Sequence, residues 1–312
     1  TVSMLALLVP QTYACTTALL TKGASADGSM YVTHSNDGYT GDTSVVYVPA
    51  ADHEEGEVRY VYPSACAREP YPTYNTDYTP RLNVDGRGPD YQFEGVDKII
   101  PLGSIPQVKH TYAYLDSNYG IINEHGLMLG ECTDSSDRFD YIKPGEGTGI
   151  FYSSELGRVA LERCRTAKEA IALMGDLIDK YGLWGTAETL LVADKDEGWV
   201  IEMEPNPSGK GGFWVAQKVP DGEFFIAANQ FRIRSLDPNN PDQIFHQSMI
   251  DELKKLGWAV FDKEGHLDWL ESIRSVERFH PYSCLRRVWR GLDMAAPSLK
   301  LNPWPESGNT KE

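Results

Sequence analysis

Basic residues are scarce in this sequence of 312 residues. It has 29 lysines and arginines against 45 aspartates and glutamates, which gives a formal net charge of −16 at pH 7. A surface with this excess of negative charge repels the phosphates of nucleic acids and of anionic membranes, so it disfavours both as partners. The same charge favours solubility and is compatible with small cationic or zwitterionic ligands.

Long apolar runs and cofactor motifs are also missing. After residue 15 no apolar run reaches the roughly 18 residues that a membrane-spanning helix needs. The sequence has no GxGxxG, no Walker loop and no HExxH, so no nucleotide or metal site is predicted from motifs. We therefore expect no cofactor, no metal and no insertion into a membrane.

Cysteine is sparse, and its count is odd. None of the five cysteines lies in a CxxC pair, and no paired histidines follow them, which disfavours a zinc site. An odd number in an exported protein indicates one thiol outside any disulfide, and we predict that this is Cys15. Cys164 lies in a helical pattern and is predicted to be a small core residue. Whether any two of Cys66, Cys132, Cys164 and Cys284 are bridged is left open.

The first 14 residues are typical of the end of a secretory signal peptide. An apolar run, Met4 to Val9, is followed by Pro10 and by small residues at Thr12 and Ala14, the positions three and one before a cleavage site. We predict that segment 1–14 is removed, by signal peptidase or autocatalytically. Residues 15–312 then form a single catalytic domain that is exported to the periplasm or the extracellular space.

Cleavage after Ala14 would make Cys15 the first residue of the mature chain. It would then carry a thiol and an α-amine whose ordinary pKa is about 8. Such an amine can act as the general base for its own thiol. Two other interpretations compete. Cys15 could be half of a disulfide, as is usual in secreted proteins, or a lipid anchor, which Thr12 disfavours because an aliphatic residue is expected there.

The residues after Cys15 predict a β-hairpin. A strand rich in Thr and Leu is followed by a turn with two glycines and by a second strand, Met30 to His34. Asn36 and Asp37 end this second strand. The hairpin therefore brings a carboxylate back beside Cys15, where Asp37 can stabilise an ammonium or orient the thiol.

These residues together resemble a known family. Cys-Thr-Thr, then Lys22, then Ala24-Ser25-x-Asp27-Gly28-Ser29 and an Asn-Asp pair are similar to the amino terminus of the peptidase family C69 dipeptidases. Those are N-terminal nucleophile hydrolases related to secernins, choloylglycine hydrolases and penicillin V acylases. The resemblance continues in four further segments: Asn123 to Leu127, Gly198 to Met203, Ala228 to Phe231, and Arg286 to Arg290.

The resemblance implies a fold and an activity. Repeated hairpins beside paired helices already fit a layered α+β architecture with antiparallel sheets. The resemblance narrows this to the four-layer αββα sandwich of N-terminal nucleophile hydrolases. It implies a cysteine dipeptidase. The alternatives are an acyl-amide hydrolase, acting on conjugated bile acids or penicillins, and a non-catalytic secreted binding protein.

The resemblance also implies roles for particular residues. Asn229 matches a residue that donates to the oxyanion, and Arg286 matches an arginine beside the nucleophile. The alternative interpretations are that Asn229 only forms a turn and that Arg286 is an ordinary solvated or salt-bridged helix residue. The strand after the turn at Asn123 makes Glu131, Cys132 and Thr133 candidate residues of the site.

Two features depart from the family. Where members commonly have Arg-Asn-Glu-Asp, this chain has His34-Ser35-Asn36-Asp37. We predict that His34 binds substrate; unlike arginine, histidine can lose its charge near neutral pH. Family dipeptidases also usually continue past this length, so a C-terminal portion of the precursor is one expected partner.

The other expected partners are a small peptide substrate, which the resemblance implies, and a second copy of the chain.

Periodicity gives the remaining elements. Segment 63–88 is predicted to be an ordered loop near the mouth of the site. Helices are predicted at 154–164, 166–182, 242–258, 267–273 and 281–294. Strands are predicted at 43–48, 59–62, 96–102, 108–114, 127–133, 189–193, 199–203, 213–219 and 224–228.

Overall fold

The computed structural model describes residues 15–37, 45–63, 101–138, 141–275 and 283–303. These residues form a mixed α/β structure in which the strands of each sheet pair antiparallel. The predicted leader 1–14 and nearly all of the predicted loop 63–88 lie outside the described residues. So does Cys66.

The elements are numbered in chain order over the described residues. The helices are α1 (Ser153–Arg163), α2 (Ala167–Tyr181), α3 (Gln247–Lys255), α4 (Trp269–Ile273) and α5 (Ser283–Ala295), with 3-10 turns at Lys22–Ala24 and Pro297–Leu299. The strands are β1 (Thr16–Leu20), β2 (Tyr31–Ser35), β3 (Val46–Val48), β4 (Ala51–Asp52), β5 (Val58–Val61), β6 (Gly103–Pro106), β7 (His110–Thr111), β8 (Tyr114–Asp116), β9 (Ile122–Asn123), β10 (Met128–Thr133), β11 (Glu188–Ala193), β12 (Gly198–Pro205), β13 (Gly212–Val219), β14 (Phe224–Ala227), β15 (Ser235–Leu236), β16 (Gln243–Phe245) and β17 (Leu267–Asp268).

Two sheets account for most of the strands. The larger has eight strands in the order β16-β13-β12-β11-β10-β9-β8-β3. The smaller has three, with β1 between β14 and β2. The remaining strands form the pairs β15–β17, β4–β7 and β5–β6.

Both faces of the larger sheet are buried, and they belong to different cores. Along β11, Leu190 and Val192 pack in a cluster with the side chains of α1 and α2. Leu191 and Ala193, which alternate with them, pack in a second cluster with residues of β1 and α3. Because successive side chains of a strand point to opposite faces, the larger sheet is covered on both sides. This explains why β11 contains an unbroken apolar run, Leu190 to Ala193.

Close contacts of β10 show which element covers each face of the larger sheet. A Cβ added to Gly157 of α1 would lie 3.0 Å from Leu129 of β10, so the helix packs directly on this side. Gly130 follows Leu129 in β10 and faces the other way. A Cβ added to Gly130 would lie 2.6 Å from Oγ1 of Thr17 in β1. The smaller sheet therefore packs against the face opposite to α1 and α2.

Helix α2 begins and ends as predicted. The Thr166 hydroxyl accepts a hydrogen bond from the backbone N–H of Glu169, and the Glu169 carboxylate accepts one from the backbone N–H of Thr166, so the two residues form a capping box. Gly182, with a φ of +72°, ends the helix. Cys164, between the two helices, is buried in their core as predicted.

Helix α5 covers the smaller sheet from outside. Val288 and Leu292 pack on Ile226 of β14. A Cβ added to Gly291 would lie 2.3 Å from the end of the Ile226 side chain, so glycine permits this close approach. Leu285 and Val288 of α5 are buried.

Two predicted helices are shorter than their patterns indicated. In segment 242–258 the first residues form β16, whose Phe245 pairs with Val215 at the edge of the larger sheet. In segment 267–273, Leu267 pairs with Leu236. Asp268 then caps α4 by accepting a hydrogen bond from the backbone of Glu271. In both cases pairing with a distant strand outweighs the local helical pattern.

Segment 108–114, predicted as one strand, is also different. It contains β7 and the start of β8, which pair with different partners, Ala51–Asp52 and Val46–Val48. Among the helices that the structure describes, none has the length and apolar character needed to span a membrane.

Candidate active site

Cys15 directly precedes β1, the central strand of the smaller sheet. Thr16 pairs with Ser35 and Thr17 with His34, which confirms the predicted hairpin. The end of β2 therefore lies alongside the residue that bears the thiol. Cys15 is only 5% exposed. Asp37 follows β2 and is exposed.

Glycine at position 130 brings β10 close to this hairpin. Besides Thr17 Oγ1, a Cβ at Gly130 would meet the side chain of Val32 at 2.8 Å and the carbonyl oxygen of Thr33 at 3.0 Å. Two positions along, Cys132 is fully buried, and its S–H donates to the carbonyl oxygen of Cys15 at 3.6 Å. The close approach of the two sheets thus places a second thiol beside Cys15.

Arg287 of α5 joins Cys15 to the end of β14. Its Nη1 donates to the carbonyl oxygen of Cys15 and, at 3.1 Å, to Oγ1 of Thr16. Its Nη2 donates to Oδ1 of Asn229 at 2.7 Å and to the carbonyl oxygen of Ala228 at 3.3 Å. One guanidinium therefore fixes the start of β1 relative to Asn229, using the planar fork of donors that lysine lacks.

Asn229 follows β14 in a left-handed conformation, with a φ of +62°, which asparagine adopts more readily than most residues. Its Nδ2 donates to the carbonyl oxygen of Thr133 at 2.5 Å. Its backbone N–H donates to Sγ of Cys132 at 2.7 Å, and its carbonyl oxygen lies 3.8 Å from the donating thiol of Cys284. Every polar group of Asn229 therefore has a partner, which fixes its orientation.

His34, Glu131 and Thr133 form a second connected group. Nδ1 of His34 lies 2.7 Å from the carbonyl oxygen of Glu131 and 3.0 Å from its backbone nitrogen, and the tautomer decides which contact is a hydrogen bond. Nδ1 also lies 3.6 Å from Oε2 of Glu131. Oγ1 of Thr133 donates to Oε1 of Glu131 at 2.7 Å. Thr133 links this group to Asn229.

Several carboxyl groups are buried near this end of the larger sheet. Burial raises the pKa of Asp134 and of Glu188 well above the usual range for carboxyl groups. Asp134 accepts a hydrogen bond from Thr189, and Glu188 accepts one from Tyr152. Burial also raises the pKa of Glu202, to about 7. These groups favour the protonated form because taking a carboxylate out of water is costly.

The structure brings some of the site residues predicted from sequence together and leaves Arg286 apart from them. Cys15 and Asn229 are brought together through Arg287, while His34, Glu131 and Thr133 adjoin them. Arg286 is exposed on α5, and the side chain that reaches Cys15 is that of the next residue, Arg287. The sequence offered no signal that separates the two arginines, because the distinction depends on the face that α5 presents to β14.

The four described cysteines, Cys15, Cys132, Cys164 and Cys284, carry thiols rather than disulfides. Within the described ranges, no group of three or more His, Cys, Asp or Glu side chains is arranged to hold a metal ion. The arrangement around Cys15 thus offers a sulfur nucleophile, amide donors and an arginine. Together these fit attack on a carbonyl group by a thiolate.

Comparison with known proteins identifies relatives across most of the chain. The sequence model of peptidase family C69 matches residues 14–305. A probable dipeptidase of Latilactobacillus sakei is 27% identical over 301 residues, which cover 93% of this chain and 54% of that protein. A probable dipeptidase of Salmonella dublin is 26% identical over 279 residues, which cover 88% of this chain and 57% of that protein. This chain therefore spans about half the length of these curated relatives.

Proposed function

The chain belongs to peptidase family C69, and from this premise we propose that it is the catalytic part of a cysteine dipeptidase with Cys15 as its N-terminal nucleophile. One observation carries the proposal. Arg287 contacts both the Cys15 carbonyl and the Asn229 side chain, so the thiol-bearing residue and an amide donor are held at one place. Relatives that are named probable dipeptidases support the choice of substrate.

In the proposed reaction, cleavage after Ala14 first frees the α-amine of Cys15. The amine takes the thiol proton, directly or through a water, and the thiolate attacks the peptide carbonyl. The protonated amine then delivers its proton to the leaving amino acid. Water hydrolyses the thioester and regenerates the thiol.

Asn229 is proposed to stabilise the oxyanion together with a backbone amide. Its Nδ2 donates to the carbonyl oxygen of Thr133 in this structure, so it must exchange this acceptor for the oxyanion. The pairing of Oδ1 with Arg287 keeps Nδ2 on the side of Thr133. A donor of this kind typically lowers the barrier by about 2.7–4 kcal/mol.

The other predicted roles are assigned within the same proposal. Asp37 would stabilise the ammonium formed on Cys15, since the hairpin returns β2 to the start of β1. His34, Glu131 and Thr133 would bind the substrate at the end of β10 that lies beside Asn229. We assign the role expected of Arg286 to Arg287, on the contacts described above.

The packing supports a four-layer αββα sandwich. Helices α1 and α2 contact one face of the larger sheet, the smaller sheet contacts the other face, and α5 contacts the smaller sheet. We propose that this stack is the N-terminal nucleophile hydrolase fold, formed by 15–312 as one catalytic domain. Export of the protein, removal of its leader, and assembly with a second copy or with a C-terminal portion of the precursor belong to the same proposal.

The test compares the Cys15→Ala and Cys164→Ala variants of the protein cleaved after Ala14. We expect Cys15→Ala to lose dipeptide hydrolysis by roughly 10³-fold or more, because no nucleophile remains. Cys15→Ser should keep a trace of activity. Cys164→Ala, which removes a buried thiol from the helix core, should keep the wild-type rate. Hydrolysis of free and N-acylated dipeptides is measured by amino-acid release.

Three further results would contradict parts of the proposal. Full activity of Cys15→Ala would exclude the nucleophile. Turnover of penicillin V or glycocholate without turnover of any dipeptide would favour the acyl-amide hydrolase. Intact mass and alkylation of the mature protein test the amino terminus, since a disulfide at Cys15 would favour a binding protein.

A further inference from the structure

We infer that Cys132 is a positioning residue for the proposed reaction, because its thiol bridges the backbone of the nucleophile residue and the backbone of Asn229. The inference rests on the proposed function but adds a residue whose side chain the reaction itself does not use. Sγ of Cys132 lies 2.7 Å from the backbone nitrogen of Asn229 and 3.6 Å from the carbonyl oxygen of Cys15. A single sulfur thus contacts both elements that must be aligned.

The direction of the two hydrogen bonds requires a protonated thiol. The sulfur accepts from the N–H of Asn229, while the S–H donates to the carbonyl oxygen of Cys15. Burial, followed by the nearby carboxyl groups of Asp134 and Glu131, raises the pKa of Cys132 well above its ordinary value. The thiol therefore stays protonated and inert at neutral pH, which suits a bridging group and not a second nucleophile.

The position of Cys132 explains why its removal should affect the chemistry at Cys15 and Asn229. The backbone N–H of Asn229 is buried, and its partner in the structure is this sulfur. The side chain of Asn229 is held separately, by Thr133 and Arg287. Without the sulfur, the left-handed backbone of Asn229 loses one of its restraints, and Nδ2 can move relative to the oxyanion. A misplacement of about 1 Å at a reacting centre can cost up to ~10²-fold in rate.

Three substitutions separate hydrogen bonding from packing. Cys132→Ala removes both hydrogen bonds and leaves a gap, whereas Cys132→Val removes the hydrogen bonds and fills the space with a slightly larger apolar side chain. Cys132→Ser restores a group that both donates and accepts. Cys164→Ala is the matched control, since Cys164 is a buried thiol in the core of α1 and α2.

The expected result is a selective loss of kcat. We expect Cys132→Ala and Cys132→Val to lower kcat by ~10- to 10²-fold with KM within about twofold. Cys132→Ser should recover most of that loss, and Cys164→Ala should match the wild type. The rate of alkylation of Cys15 by iodoacetamide, followed by mass spectrometry, gives a second readout that does not need turnover. This alkylation rate should differ from the wild-type rate in Cys132→Ala and Cys132→Val. It should match the wild type in Cys132→Ser and Cys164→Ala.

The outcomes distinguish this inference from the proposed function. If Cys15→Ala keeps full activity, the proposed function fails, and this inference fails with it. If Cys15→Ala is inactive while Cys132→Val has the wild-type kcat and alkylation rate, only the positioning role is overturned. Equal losses in Cys132→Ser and Cys132→Val would also overturn it, because they would show that shape alone matters. If Cys132→Ala fails to fold, the kcat values of Cys132→Val and Cys132→Ser decide whether the hydrogen bonds of Cys132 matter.

Discussion

At the scale of single residues, the candidate site depends on which of two neighbouring arginine side chains faces Cys15. Arg287 donates to Cys15, Thr16 and Asn229, whereas Arg286 is exposed on the same helix. Successive residues of an α-helix point about 100° apart, so only one of the two can face β14. The two arginines therefore form a natural matched pair for mutation.

We predict that Arg287→Ala lowers kcat/KM by ~10²-fold, because both Cys15 and Asn229 lose the donor that aligns them. Arg287→Lys should recover little, since an ammonium cannot reproduce the planar fork. Arg286→Ala should stay within about threefold of the wild type. Steady-state hydrolysis of a dipeptide checks this, with circular dichroism to confirm folding. If the Arg286 variant had the larger defect, the assignment based on Arg287 would be wrong.

Part of this site could be predicted from the sequence. Cys15 stands out because it follows an apolar segment and opens a strand. The roles expected of Asn229, Glu131 and Thr133 came from the resemblance to family C69, and the strand that carries Glu131 and Thr133 was predicted correctly. Arg287 and Cys284 could not be predicted, because their roles depend on how α5 docks on the smaller sheet. That docking is a tertiary contact with no local signature.

At the scale of elements, local patterns predicted strands and helices better than they predicted pairing. The first hairpin, β10 to β14 and the capped helix α2 agree with the sequence, since alternation and capping are local signals. Segment 242–258 does not agree. Its first residues form an edge strand on β13, and this partner lies about thirty residues earlier in the chain.

The closeness of β10 to β1 gives a prediction at this scale. A Cβ at Gly130 would lie 2.6 Å from Thr17 Oγ1 and 3.0 Å from a backbone oxygen, so the sheets must separate to accept it. We expect Gly130→Ala to cost about 1–3 kcal/mol of unfolding free energy. It should also lower kcat/KM at least tenfold, because Cys132 moves away from Cys15.

Gly157→Ala is the control for this experiment. It lies on α1 against the opposite face of the same strand, where an added Cβ meets only the flexible end of Leu129 at 3.0 Å. Helix propensity favours this change by up to ~1 kcal/mol, which offsets the tight contact. Urea unfolding and dipeptide hydrolysis should therefore show a small effect here and a large one at Gly130. Similar effects at both positions would contradict the importance of the sheet-to-sheet approach.

At the scale of the whole molecule, the acidic residues are not confined to the surface. Asp134, Glu188 and Glu202 are buried along the larger sheet, and burial raises the pKa of all three. Glu202 accepts hydrogen bonds from the backbone of Arg232 and Ile233, which lowers its pKa and partly offsets the burial. The fold therefore holds protons that the unfolded chain releases.

This arrangement predicts that the protein loses stability as pH rises. The pKa of Glu202 is raised from its ordinary value of 4.5 to about 7, so its stabilising contribution is complete below pH 4.5 and is lost as pH rises through 7. By linkage the loss is on the order of 3 kcal/mol for this group. Asp134 and Glu188 act in the same direction. Urea unfolding measured from pH 5 to pH 8 should give a falling free energy of unfolding.

Glu202→Gln tests the assignment of this loss, because the amide cannot titrate. The variant can be less stable overall, since its amide nitrogen faces either the backbone donors of residues 232 and 233 or the indole N–H of Trp269. The informative quantity is therefore the slope of stability against pH, which should be shallower than in the wild type between pH 5 and 7. An unchanged slope would assign the loss to the other buried carboxyl groups. A wild-type stability that stays flat or rises with pH would show that these groups are ionised within the folded protein.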